Sequence, residues 1–223
     1  MTNPVTVNGI RYYMYSDHVK LGKDEYELDY GEPTAAINRT VLKGHLIIEK
    51  YFQNLPITEL AEDAFYRCYL LTKLTIKADI KVIPRGCFAD CYNLNYIDLP
   101  NSIETIQERG IMFWNVSGTD IDRSLFFSHG SCTVRFRRGS KLNVLGPQVF
   151  AYKSQVVLFF ETPVHCSVDE KTFKAAEDVL IYSVYPMKLG NYSVIYRDCS
   201  CIYNIYFQYL EAFKYLGLII IFL

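Results

Sequence analysis

The chain has 223 residues, half of them apolar, enough to bury the core of one elongated domain or two small ones. Its 23 basic and 24 acidic side chains nearly cancel, so overall charge gives no reason to expect nucleic acid or an anionic membrane as partner. Nineteen Tyr and fourteen Phe suit stacked strands and a tyrosine-bearing surface.

In chain order, Val5 to Tyr15 reads as a hairpin. Asn8-Gly9 is a tight-turn pair, and Val5, Val7, Ile10, Tyr12 and Met14 flank it with strand-forming side chains. Met1 to Tyr15 lacks the basic region and apolar run of a secretory signal, so none is expected. Lys20 to Thr40 is polar, acidic and tyrosine-rich, with Gly22, Gly31 and Pro33, and is expected to be irregular covering structure. Leu46-Ile47-Ile48 reads as a first strand. Residues 1–45 are thus expected to form an N-terminal hairpin and cap, because a stack of repeats needs its first core layer shielded.

A 23-residue echo follows. Ile57, Leu60, Ala64, Phe65, Cys68, Tyr69, Leu71, Leu74 and Ile76 recur as Ile80, Ile83, Cys87, Phe88, Cys91, Tyr92, Leu94, Ile97 and Leu99. Ile103, Ile106, Gly110 and Ile111 carry it once more before it fades. Regularly placed Leu and Ile at this period mark a leucine-rich-repeat solenoid, whose units bury their apolar faces only by stacking. Leu74-Thr75-Ile76 and Ile97-Asp98-Leu99 alternate as short strands do, and Pro100 ends the second by withholding a backbone donor. The Ala-Phe or Cys-Phe pair and the following Cys are assigned to the opposite, convex side as a turn of helix, with Phe65 and Phe88 inward.

Leu145 and Phe150 recur as Val168 and Phe173, and Val157 and Phe159 as Leu180 and Tyr182. Ile106 and Leu145 lie 39 apart, one period plus 16, so an extra loop is expected around Asp122 to Gly130, before the strand Val134-Arg135-Phe136. The expected solenoid covers 46–185, with 186–223 left as a C-terminal cap or tail. From Val156 to Glu161 nearly every position is apolar, and the favoured register turns Val156, Leu158, Val179 and Ile181 outward. A slip of one residue would exchange the two faces. Leu216 to Leu223 is wholly apolar but far shorter than the about 20 residues a spanning helix needs, so membrane insertion is not expected.

The residues Ile80-Lys81-Val82-Ile83, Cys87-Phe88-Ala89-Asp90-Cys91, Asn93-Leu94 and Tyr96 to Ile103 carry a specific resemblance. The chain resembles the BspA-like leucine-rich-repeat proteins, strongly over 57–106 and loosely over the rest of 44–183. Val5 to Tyr13 and Gly44 to Ile48 resemble the lead-in of their protist branch. The resemblance implies a surface-associated protein that binds host or partner proteins, as in adhesion, and brings no catalytic residues. Unit three departs from the pattern, with Ile111 for the Phe, Trp114 for the Cys, and Asp120 and Asp122 at its strand.

The expected fold is therefore an α/β leucine-rich-repeat solenoid of 23-residue units, with one parallel β-sheet face and a short helical or irregular convex face. No phosphate loop, metalloprotease His pair or nucleophile elbow occurs, so no enzyme activity is expected. Asp120 and Asp122 are read as loop residues, and His165 as a partly buried oddity in the place Leu142 holds one unit earlier. Seven cysteines leave at least one unpaired, and Cys68 and Cys91, at one repeat position, fit buried small apolar side chains. Neither Cys87 and Cys91 nor Cys199 and Cys201 has the second pair that a zinc site needs, so neither metal nor cofactor is expected.

The expected partner is a protein, met by the outward sheet row Thr75, Asp98 and Arg135, with Lys73, Lys77, Tyr96 and Arg137 beside it. Tyr and Arg favour such contacts through large area and directional donors. Arg135, Arg137, Arg138 and Lys141 form either an ordinary solvated edge or a spot for acidic ligands. The resemblance places the chain at a cell surface or outside the cell. An intracellular scaffold of the same fold is the alternative. Asn38-Arg-Thr, Asn115-Val-Ser and Asn191-Tyr-Ser would accept glycans if the chain is exported.

Overall fold

The computed structural model describes residues 4–23, 34–36, 39–111, 131–151 and 153–196. Trp114, Asp120, Asp122, the loop expected around 122–130, the sequons at Asn38 and Asn115, Cys199, Cys201 and residues 216–223 lie outside them.

Asn8 and Gly9, at φ of 50° and 82°, turn β1 (Val5–Val7) into antiparallel β2 (Ile10–Met14), with Val7 opposite Ile10. Both turn residues left-handed is the geometry that follows the natural strand twist. β3 (Val19–Leu21) runs antiparallel to β2. Strand β4 (Gly44–Ile48) belongs to a different sheet. A second hairpin joins β5 (Tyr51–Phe52) to β6 (Leu55–Leu60) through Gln53 and Asn54, both with positive φ. That hairpin was not anticipated, because Gln53 lacks the usual turn preference. β6 also pairs parallel with β3, closing a five-stranded sheet in which Phe52 stacks on Tyr12 at 3.8 Å between centroids. Val19, Leu21, Ala35 and Ala36 from this region join the main core.

Parallel stacking dominates the rest. A seven-stranded sheet runs in sequence order through β4, β7 (Leu71–Ile76), β9 (Tyr96–Leu99), β11 (Cys132–Phe136), β13 (Gln155–Phe160), β15 (Asp178–Ser183) and β16 (Ile195–Tyr196). Facing it is a four-stranded parallel sheet of two-residue strands: β8 (Val82–Ile83), β10 (Thr105–Ile106), β12 (Val144–Leu145) and β14 (Ser167–Val168). The core includes Leu74, Ile76, Ile97, Leu99, Val134 and Phe136 from the large sheet and Ile83, Ile106 and Leu145 from the small one. Phe136 stacks on Phe160 at 4.4 Å.

The convex turn of helix does not form: among the described residues there is no helix. The segments of the first two units are instead flanked on both sides by left-handed residues, Asp63 and Arg67 in one, Gly86 and Asp90 in the next. These φ values, from 53° to 64°, break an α-helix at both ends of a single turn. The amide groups go elsewhere. Phe65 N–H donates to Cys87 C=O, Arg67 to Ala89, Phe88 to Gly110 and Phe150 to Thr172, so successive turns are hydrogen-bonded unit to unit. A helix would spend those donors within its own segment. The side chains still point inward, and Phe65 stacks on Phe88 at 5.2 Å and Phe150 on Phe173 at 5.5 Å.

Partners across the large sheet lie 23 residues apart at Lys73 and Tyr96 and at Phe159 and Tyr182. Two steps differ. Ile97 pairs with Val134, 37 residues on, so the extra length between the two runs leaves β9 and β11 direct neighbours. Val134 then pairs with Leu158, a step of 24. That one additional residue overturns the favoured register. Val156, Leu158 and Ile181 lie in the main core, with Val179 packed against it, and Val157, Phe159, Leu180 and Tyr182 face the other way. Because side chains alternate with period two, one residue suffices to exchange the faces. His165 is also corrected: it is exposed, and Val164 takes the inward place.

Candidate functional site

Parallel register turns the outer face of the large sheet into rows of side chains. One row reads His45, Lys73, Tyr96, Thr133, Val157 and Leu180. The next reads Ile47, Thr75, Asp98, Arg135, Phe159, Tyr182 and Ile195. With strands about 4.8 Å apart, each row is a nearly continuous strip. Thr75, Asp98 and Arg135 therefore share a row, Lys73 and Tyr96 sit in the adjacent one, and Lys77 and Arg137 follow just past the ends of β7 and β11.

The character of the face changes along the stack. At its N-terminal end the Lys73 ammonium lies 5.0 Å from the Tyr96 ring centroid, an attraction between cation and ring face. His45 Nε2 is 2.9 Å from Thr75 Oγ1, and Lys77 Nζ is 2.9 Å from Glu49. Partial burial, then the neighbouring Lys73 and Lys77 charges, lower the His45 pKa, with Asp98 opposing them. The balance of these influences favours the neutral imidazole of His45.

The centre is a closed ion-pair network. Arg137 donates Nε and Nη2 to the two carboxylate oxygens of Asp98 at 2.9 and 2.8 Å. Arg135 reaches Asp98 at 3.7 Å and Glu161 at 2.6 and 2.8 Å, and Glu161 also accepts the Arg138 N–H at 3.1 Å. Burial works against the Arg135 charge, but the Glu161 hydrogen bond and charge, with Asp98, hold its pKa above the usual value. The two arginines point their forked donors at carboxylates of this chain, so the run is an internal clasp. Glu161 was hidden in sequence by the ambiguous 156–161 register, and His45 because it precedes the first repeat.

The C-terminal end is apolar. Val157, Phe159 and Tyr182 form a cluster separate from the main core, with Leu180, Val184 and Ile195 packed against it. Phe159 stacks on Tyr182 at 5.3 Å.

Nucleophile chemistry is poorly served. Cys68, Cys87, Cys91, Cys132 and Cys166 are free thiols, the first four buried. Burial pushes the Cys87, Cys91 and Cys132 thiols up, and Cys166 up to about 12, so none is a ready thiolate. Among the described residues no three His, Cys, Asp or Glu side chains are placed to hold a metal ion, and no helix is long and apolar enough to cross a membrane.

Two parallel sheets joined by short turns, with Phe and Cys at fixed inward places, call for comparison with repeat families. Residues 37–132 match the model of the BspA type leucine rich repeat region (6 copies). Over this stretch the chain is similar to BspA-type leucine-rich repeats. No curated protein and no solved structure matches it. In these units the Phe and Cys positions are spent on the core: Cys91 Sγ donates to the Phe65 carbonyl at 3.2 Å.

Proposed function

We propose that this chain is a non-enzymatic protein-binding module that works through the N-terminal half of the sheet face. The carrying observation is the Lys73–Tyr96 pair with His45 and Thr75 in register beside it, a strip of aromatic area and donors on a rigid parallel scaffold. Lys73, Thr75, Lys77 and Tyr96 are the contact residues of this reading. Asp98, Arg135 and Arg137 hold the strip in shape from its centre. The leucine-rich-repeat family supports protein interaction as the broad role, and family resemblance favours cell-surface adhesion as its setting. Residues 1–45 act in this reading as the cap, 46–185 as the binding solenoid and 186–223 as the closing segment.

An intracellular scaffold is the second reading, and the free thiols of Cys68, Cys87, Cys91, Cys132 and Cys166 favour it, because an oxidising compartment promotes pairing. Thiol and glycan analysis of the protein from its native cell separates the two. A glycan at the exposed Asn191 supports export, and seven free thiols with bare sequons support the scaffold.

The binding face is tested with a purified partner from that cell. Lys73→Glu and Tyr96→Ala are expected to weaken affinity at least about tenfold each, the loss of one hot-spot contact. Tyr69→Ala, on the turn side, should leave it unchanged. The opposite pattern moves the site to the convex turns.

A further inference from the structure

The first strand of the large sheet leaves one edge open. Among the described residues β4 has a single strand neighbour, β7. The Gly44 N–H donates to the Leu70 carbonyl and the Ile48 carbonyl accepts the Lys77 N–H, each at 2.8 Å, so the even-numbered residues of the strand direct their backbone groups to the β7 side. Alternation turns the N–H and C=O of His45 and Ile47 the other way, toward the edge. His45, Ile47 and Glu49 are exposed there, and such an edge is a template for a further strand. Apolar side chains gather at the same place: Val41, Ile47 and Tyr51, on the strand or within three residues of it, are 40, 38 and 63 % exposed.

We propose that this edge pairs with the β4 edge of a second copy of the chain, in an antiparallel two-fold dimer centred on Leu46. Register and charge carry it. With the axis at Leu46, His45 of each copy stands opposite Ile47 of the other, and both residues have outward N–H and C=O groups to exchange. Lys43 and Glu49 flank the strand at its two ends, both exposed, so antiparallel pairing sets each Lys43 against Glu49 of the other copy. Glu49 Oε1 bonds Lys77 Nζ at 2.9 Å, which leaves Oε2 for that contact. Parallel pairing would set Lys43 against Lys43 and Glu49 against Glu49, and like charges at close range disfavour it. The antiparallel dimer joins two seven-stranded sheets into one continuous sheet with both outer faces on the same side. Its two Lys73–Tyr96 strips then lie on one surface and can engage a partner together. The pairing itself is independent of what the strip binds.

Analytical ultracentrifugation of the full chain, from micromolar to millimolar concentration, should show a monomer–dimer equilibrium. A monomer throughout overturns the proposal. Lys43→Glu and Glu49→Lys, each alone, should raise the dimer Kd at least about tenfold by setting like charges together. An equimolar mixture of these two variants restores both opposite-charge contacts and should associate as the parent chain does. Single variants that dimerise like the parent, or a mixture that fails to associate, overturn the proposal. Amide exchange gives a second reading that needs no substitution. The His45 and Ile47 amides should exchange fast in dilute protein and several-fold more slowly in the dimer, while Leu46 and Ile48 stay as they were. Protection of His45 and Ile47 already complete in the dilute monomer means that the chain covers its own edge, which overturns the proposal. Tyr96→Ala should leave the dimer Kd unchanged, so dimerisation and partner binding fail separately.

Discussion

Arg137 grips Asp98 with two parallel hydrogen bonds of 2.9 and 2.8 Å, across 39 residues of sequence. Asp98 lies on β9 and Arg137 directly follows the neighbouring β11, at the longest step of the large sheet. With an adjacent Arg135 also on Asp98, the pair fastens the two runs of repeats where sequence periodicity alone would not bring them together.

Asp98→Ala is expected to cost about 1 to 3 kcal/mol, since it strips a charged acceptor from two half-buried guanidiniums. In a cycle with Arg137→Ala, the double variant should lose at least about 1 kcal/mol less than the sum of the single losses, as contacting residues do. Urea unfolding of the four proteins measures this. Additive losses would mean that the clasp contributes nothing as a pair.

Phe65, Phe88, Phe150 and Phe173 line the turn side of the core, all buried, stacked in two pairs on either side of the step at Ile111. Replacing any of them with Ala should cost about 3 to 5 kcal/mol, the lost transfer energy plus a cavity. Denaturant midpoints below a loss of about 1 kcal/mol at two or more of these positions would contradict the ladder.

Left-handed turn residues give a prediction of both signs. Gly86 has a φ of 64°, and a Cβ there would run into the Asp63 carboxylate, so Gly86→Ala should destabilise by about 1 to 3 kcal/mol. Ala175 holds a φ of 56° despite its Cβ, so Ala175→Gly should stabilise by up to about 1 kcal/mol. Thermal unfolding midpoints moving down and up respectively confirm the turn geometry, and a helix over these residues would give the reverse at Ala175.

Alkaline pH should destabilise the fold through its thiols. Burial raises their folded pKa values above the ordinary thiol value, Cys166 up to about 12 and Cys87, Cys91 and Cys132 upward as well. A raised folded pKa means that the stability is complete below about pH 9 and is lost as pH climbs toward the folded value, because the unfolded chain releases its protons first. The urea midpoint should fall between about pH 8 and pH 10.5, and by less in Cys166→Ser. Thiol reagent added to the native protein at about pH 8 should react slowly at Cys166 despite its partial exposure.

Much of this architecture is written in the chain. Asn8-Gly9 specifies the first hairpin through local φ preferences, and the recurrence of Leu, Ile, Phe and Cys every 23 residues specifies stacked units, because each unit leaves an apolar face that only another can cover. The inward places of Leu74, Ile76, Ile97 and Leu99 follow from alternation with polar neighbours. Three things needed the tertiary structure. The turns are not helices, since their amides bond to the next unit, a partner that no local pattern reveals. The face of β13 rests on a step of 24, invisible in a run where both faces are apolar. The arginine strip is an internal clasp because Asp98 and Glu161 arrive from 39 and 26 residues away, and only strand register sets which charges meet. Periodicity determines what stacks, whereas the pairing of side chains across strands depends on single-residue steps that composition does not record.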